Sequence, residues 1–343
     1  MLRFVVIIIL FSGFTPRLWY IGVASLVAAI FLDVAHYIVK RKIMNEVCIR
    51  LKYFDWKSLK ILIVKGIWNS FNQLAAMLIN GLSLLVTNIF IGDIAMGLYS
   101  VAQLIPTYLQ SLMYTLCNIF TPNLTISYAK GRNDEVRDGI TYAMKFNSLL
   151  LMVPLLGFLV YGFDFYTLWQ NSLNPSELQT TFILSILVIF PMISSVITQP
   201  LLTVNTITAR LKLPVIMNTI IGVLNIVVEL ILVYTTDLGV YAVAGVSAVL
   251  LTLRNYLFYP IYSAVNLSLP VKTFYPTIIK GTVCSAIIFG FLFVTHSFIE
   301  ISGWIDLIIY AIIFGAISEL LLFVLLLNKS ERTAVLRKIT RKK

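Results

Sequence analysis

Apolar residues gather into ten runs along the chain, at about 4–14, 18–39, 67–91, 94–121, 144–163, 179–200, 213–235, 238–262, 275–297 and 303–328. A helix needs roughly 20 apolar residues to cross the hydrocarbon core of a bilayer, so the first run is too short to cross alone. The pattern predicts an all-α, polytopic transmembrane helical bundle. A second pattern lies inside 67–91. There Asn69, Gln73, Asn80, Ser83 and Thr87, with Ala76 among them, fall on one narrow face at helical spacing. Lipid cannot satisfy an amide, so this stripe must face protein or enclosed water. In 94–121, Gln103, Thr107, Gln110, Tyr114 and Asn118 share a face, and Pro106 is placed to bend the helix among them. In 213–235, Asn218, Gly222, Asn225 and Glu229 line up in a narrow arc. One amide alone is as well explained as interhelical glue worth about 0.6 kcal/mol. Three stripes on separate helices predict a hydrated cavity that handles a polar solute, a coupling ion or both.

The connections between runs alternate in charge. Eight bases from Lys40 to Lys65 follow the second run, whereas Gly92-Asp93 after the third has none. Lys130, Arg132 and Arg137 follow the fourth, Arg210 and Lys212 the sixth, and Lys272 the eighth, while Asp237 and Glu300 stand alone after the seventh and ninth. The positive-inside rule then puts every even-numbered end, and the C-terminus, on the cytoplasmic side of the membrane. Residues 43–65 mix bases with Tyr53, Phe54, Trp56, Leu59 and Ile61, which suits a helix lying in the cytoplasmic interface and serving as a linker.

Composition agrees with the pattern. Hydrophobic residues make up 59% of the 343 and charged ones 12%, with a mean hydropathy of +0.92. The net charge of +11 sits mostly in loops, so no nucleic-acid partner is expected. Cys48, Cys117 and Cys284 show no metal spacing. There is no phosphate-cradling glycine loop, no zinc-protease motif and no large outer loop for a membrane transferase, so no enzyme, cofactor or metal beyond a coupling Na+ or H+ is expected. Several charges lie inside the runs. Glu229, with Asn225 one turn before it, can hold a cation or a proton, or can sit close enough to the outer end to be wet. Arg254 can meet a phosphate or snorkel to the interface. Asp33 and His36 are a candidate proton-sensitive pair, and Glu319 carries no assigned role.

Three stretches carry a resemblance: Gly66-Ile67-Trp68-Asn69-Ser70-Phe71-Asn72-Gln73-Leu74, Thr87-Asn88-Ile89-Phe90-Ile91-Gly92 and Met96-Gly97-Leu98-Tyr99-Ser100-Val101-Ala102. Pro122-Asn123-Leu124 and Tyr128-Ala129-Lys130-Gly131 continue it. Together they resemble the Wzx-type polysaccharide and O-antigen flippases of the multidrug/oligosaccharidyl-lipid/polysaccharide exporter superfamily, whose fold is MATE-like. The resemblance implies two six-helix lobes, alternating access and ion-coupled translocation of undecaprenyl-pyrophosphate-linked oligosaccharide for surface polysaccharide. It implies the lipid bilayer, the lipid-linked oligosaccharide and other polysaccharide-assembly membrane proteins as partners. By analogy with lipid II flippases it points to Asn80, Asn225, Glu229 and the region of Gly245 and Ser247 as the ion site. The substrate cavity expected from the stripes takes in Asn69, Gln73, Asn80, Ser83, Thr87, Gln103, Gln110, Tyr114, Asn118, Asn218 and Arg254.

Read against the family, 1–42 are the last helices of an incomplete first lobe and 43–65 the linker. Residues 66–265 are the second six-helix lobe, 266–328 two additional helices and 329–343 a basic tail. About four spans of a full flippase are then missing, which leaves an inactive fragment as an alternative beside a multidrug/cation antiporter and, less favoured, a sugar polymerase.

Overall fold

The computed structural model describes residues 2–15, 17, 19–43 and 54–333. Its helices are α1 (Leu2–Gly13), α2 (Trp19–Ile43), α3 (Trp56–Phe90), α4 (Asp93–Ala129), α5 (Asn133–Trp169), α6 (Pro175–Thr198), α7 (Leu202–Ile207), α8 (Lys212–Thr235), α9 (Val240–Leu253), α10 (Tyr259–Asn266), α11 (Tyr275–His296) and α12 (Trp304–Leu326). A 3₁₀ turn at Gln199–Leu201 joins α6 to α7, and a π-helical turn at Arg254–Phe258 joins α9 to α10. Among the described residues there is no strand. Among the described residues, eight helical segments are long and apolar enough to cross a bilayer. Of the ten expected runs, the two outside that set are α1, with 12 residues, and α4, diluted by its own polar stripe. The chain is a multi-pass helical membrane protein.

The chain divides into two compact units, Met1–Val64 and Lys65–Lys343, the division falling within α3. In the first, α1 and α2 form a hairpin closed by Tyr20, whose ring meets those of Phe11 and Phe14 edge-on at 6.0 and 6.4 Å. Only Tyr20 and Ala24 of α2 are buried. Of the segment expected as an interfacial linker, residues 44–53 lie outside those described, and Trp56 begins α3. The start is fixed by Asp55, whose carboxylate accepts from the backbone N–H of Ser58 at 2.8 Å and from its hydroxyl at 2.7 Å. Those bonds, the hydroxyl's first, hold the Asp55 carboxyl below its ordinary value. Gly66 alone does not stop a helix that has no proline from Trp56 to Phe90.

In the second unit α5 and α6 form the central hairpin. Its turn is closed by a capping box, with Asn174 accepting from the N–H of Glu177 and Glu177 accepting from that of Asn174, and Pro175 opens α6. The turns flanking α4 need backbone only glycine adopts readily, at Gly92 (φ 129°) and Gly131 (φ 72°). After α4 the N–H of Arg132 reaches back to the carbonyl of Ser127 at 3.1 Å, a Schellman closure. One large core joins α5 and α6 to α10, α11 and α12 through residues such as Met144, Ile189, Phe274, Ile288 and Leu322. The two helices expected as additions are thus packed into that core. A smaller core holds α3, α4, α6 and α9 together around Val86, Tyr99, Leu184 and Val243.

Beyond α12 the chain is fastened down. Lys145 of α5, almost wholly buried, meets Glu331 at 2.6 Å, Lys280 of α11 meets Asn328 at 3.3 Å, and the Arg332 guanidinium donates to the carbonyls of Leu327 and Val324. Partial burial pushes the Glu331 carboxyl up, but the Asn328 N–H and the Lys145 ammonium outweigh it and leave it below its ordinary value. A carboxyl lowered on folding contributes stability above its unfolded pKa of about 4.5 and loses it as pH falls through the lower folded value. Glu331→Gln is therefore expected to speed amide exchange over 328–333 at neutral pH and to cost about 2 kcal/mol. The gap from wild type should close on acidification below the carboxylate range. Equal exchange at neutral pH would show that the clamp holds nothing.

Candidate functional site

Glu229 lies on α8 six residues before its last, Thr235, and is fully buried. A charge at such a depth costs roughly 2.5–3.5 kcal/mol on insertion scales, so it must be met by polar groups. Three helices supply them. Ser83 of α3 donates its hydroxyl to Glu229 Oε1 at 2.7 Å, and the Asn225 amide, one turn back on α8, donates to the same oxygen at 2.5 Å. Ser247 Oγ of α9 stands 3.2 Å from Oε1 and 3.1 Å from Asn225 Oδ1. The Asn225 amide is also 3.2 Å from Ser83 Oγ, which ties the four side chains into one network. The second oxygen, Oε2, is buried with no hydrogen-bond partner. One oxygen is crowded with donors while the other is bare. Such a carboxylate can take up a proton or a small monovalent cation in place of a counter-charge. No group of three or more His, Cys, Asp or Glu occurs among the described residues. One carboxylate among neutral donors is too little charge for a tightly held divalent ion.

Two polar hollows begin where this network ends. The smaller, of about 270 Å³, is lined by Tyr99, Gln103, Gln110 and Ser247 among others. The larger, of about 670 Å³, lies among Trp68, Asn72, Gln73, Asn205, Asn218 and Tyr259. Gln110, Leu251 and Arg254 line both. Arg254 is the single charged residue among the described residues of either lining. Its guanidinium donates to Asn218 Oδ1 at 3.2 Å and lies over the Tyr259 ring at 5.0 Å. Asn218 in turn donates to Asn72 Oδ1 at 3.2 Å. The neighbouring Asn255 is fully buried and donates to Ser194 and Ser195 of α6 at 2.9 and 2.7 Å, which anchors the π-helical turn that presents Arg254. A cation with amide and aromatic partners but no carboxylate is suited to an anion entering the larger hollow.

The residues singled out from sequence separate into groups. Asn225, Glu229, Ser83 and Ser247 meet in the carboxylate network. Thr87 is buried beside it and spends its hydroxyl on the carbonyl of Ser83. Gln73, Gln103, Thr107, Gln110, Tyr114, Asn218 and Arg254 line the hollows. The Thr107 hydroxyl, however, bonds the Gln103 carbonyl at 2.7 Å and is not free for a solute. Asn118 is exposed and lines neither hollow, because the wall formed by α4 ends at Tyr114. The side chains of Asn69 and Asn80 and the whole of Cys48 lie outside the described residues. Cys117 and Cys284 are buried free thiols. Asp33 and His36 are both exposed on α2, with no bond between them, since nothing in their unit packs over that face.

Sequence reasoning overlooked Asn72, Gln199, Asn205, Asn255 and Tyr259. Asn205 is almost wholly buried in the wall of the larger hollow, with Oδ1 unpartnered. The helix break at Gln199-Pro200 was the available signal, since it carries Gln199 and Asn205 beyond the regular α6 register.

No family model matches the chain, and no solved structure matches it. Among curated proteins it is similar to the uncharacterized membrane protein EpsK of Bacillus subtilis (strain 168). The two are 28% identical over 353 aligned residues, which take in all of this chain and 67% of the relative.

The network makes a graded stability prediction. Glu229→Gln keeps an acceptor for Ser83 and Ser247 and is expected to change thermal stability little. Glu229→Leu strands those donors in an apolar interior and should cost about 2–4 kcal/mol in thermal unfolding of the purified protein. Equal midpoints for the two variants would contradict the bonding described.

Proposed function

We propose that this protein is a flippase that carries a lipid-linked oligosaccharide, joined through pyrophosphate, across the bacterial inner membrane for surface polysaccharide assembly. The observation that carries the reading is Arg254. It is a lone cation at the neck of a 670 Å³ polar hollow whose wall also offers Trp68, Tyr259 and several amides. Guanidinium suits a phosphate group, and aromatic faces with amides suit sugar rings and hydroxyls. The prenyl chain stays in lipid while the headgroup enters the hollow. Glu229, with Asn225 and Ser247, takes the coupling Na+ or proton, and α9, which contributes Ser247, leads directly into the turn that carries Arg254. The resemblance of 66–131 to Wzx-type flippases supports the same reading, and the likeness to a membrane protein, of which this chain covers 67%, agrees with its membrane setting. One helical bundle rocks against another to expose the hollow to each side in turn.

Complementation of a strain lacking its own glycan flippase tests this. The wild-type gene is expected to restore surface glycan, and Arg254→Gln to lower it at least about tenfold, as loss of one charge-assisted contact would. Arg254→Lys should recover only part, since an ammonium cannot present a bidentate fork. Restored efflux of organic cations with no glycan would instead favour an antiporter. Full rescue by Arg254→Gln would remove the residue from the substrate site.

A further inference from the structure

A third cavity, of about 650 Å³, runs between α5 and α12 and shares no lining residue with the polar hollows. Its walls are apolar, from Pro154 and Phe158 on α5 to Ala311 and Ile312 on α12. Gly157 and Gly315 lie in its lining, and a Cβ added at either would meet nothing within 4 Å. These glycines therefore serve no close helix contact inside the chain and leave the groove open. Glu319 is its single charged lining residue and has no hydrogen-bond or ion-pair partner among the described residues. It stands seven residues before Leu326, the end of α12, or roughly 10 Å along the helix axis. The nearby bases are engaged elsewhere, Lys145 by Glu331 at 2.6 Å and Lys280 by Asn328 at 3.3 Å.

We infer that this groove binds an amphiphilic amine, with its alkyl body along α5 and α12 and its ammonium on the Glu319 carboxylate. The charge decides the class of ligand. A neutral lipid chain would fill an apolar groove equally well without a carboxylate, and would leave Glu319 uncompensated in oil. A fatty acid would bring a second negative charge to it. An alkylammonium supplies the missing counter-charge and buries its chain in the same step. The volume falls within the range of roughly 300–1,000 Å³ usual for ligand pockets. This inference stands whether or not the protein moves glycans, because it uses none of the residues of the polar hollows.

Photo-crosslinking tests it, with a diazirine-bearing dodecylamine and the purified protein in nanodiscs of phosphatidylglycerol and phosphatidylcholine. Label is expected on α5 and α12, competed by dodecylamine but not by dodecanol or dodecanoate. Glu319→Gln should lower labelling about tenfold, the loss of one charge-assisted contact. Gly315→Leu should abolish labelling with the carboxylate intact, because the new side chain fills the groove without strain. If Glu319→Gln does not fold, Gly315→Leu and the alcohol competition still decide. Equal competition by dodecanol, or unchanged labelling in both variants, would reduce the groove to an ordinary lipid-facing surface. A dimer that Gly315→Leu dissociates would give the groove to a second copy of the chain. Either result overturns the inference.

Discussion

A carboxylate fully buried among apolar helices must find donors or be neutralised, and much of the second unit follows from how Glu229 meets that demand. Its partners come from positions 83, 225 and 247, on three different helices. Leaving any of these donors unsatisfied would cost about 1–3 kcal/mol, so the network fixes which faces of α3, α8 and α9 meet. Apolar packing around Val86 and Val243 then closes the same junction. In lipid the contrast between polar and apolar faces does not by itself drive helices together, and this one polar contact supplies the orientation that oil cannot.

The network also organises what lies beside it. From Ser247, α9 runs two turns, roughly 10 Å, to Arg254. One end of this stretch touches a buried negative charge, and the other presents a positive charge to a polar hollow. The π-helical turn and the Asn255 anchor on α6 set the direction in which the guanidinium points. Because α9 bonds the Glu229 carboxylate through Ser247 and leads directly into the turn that carries Arg254, it gives a simple physical route by which a cation at one site and an anion at the other would sense each other, as the proposed coupling requires. In the same unit, α5 and α12 enclose an apolar groove with its own unpaired carboxylate, Glu319. A chain with few charges inside its spans thus places one cation at the polar hollows, one carboxylate in a separate groove and one carboxylate in a buried network.

Much of this was legible in the pattern of residues. The helices fall close to the apolar runs, and Asn225 with Glu229 one turn later marked the network on α8. Ser83 was marked by the polar stripe in 67–91, whereas Ser247 came only from the resemblance to lipid II flippases. Other features were hidden by chemistry that periodicity does not record. Thr107 and Thr87 match a polar stripe on a helical wheel, yet their hydroxyls are consumed by backbone carbonyls one turn back. Asn118 continues the stripe of α4 past the point where anything faces it. Asp33 and His36 sit one turn apart but stay exposed, with no bond between them among the described residues. Asn205 and Tyr259 lay beyond helix breaks at Gln199–Leu201 and Arg254–Phe258, where a wheel drawn through the whole run loses register. From Trp56 the chain is already in α3, because the cap at Asp55 starts a helix that nothing afterwards interrupts.

The most direct test is transport in sealed vesicles. Proteoliposomes carrying the protein and a fluorescent lipid-linked saccharide are given a Na+ or a proton gradient, and exposure of the saccharide at the opposite face is followed in time. Translocation by the wild type should accelerate with one of the two gradients, and the same gradient should leave Glu229→Gln unaffected. Equal acceleration of wild type and Glu229→Gln by that gradient would show that ions act elsewhere, and that the buried carboxylate serves only to hold the helices together.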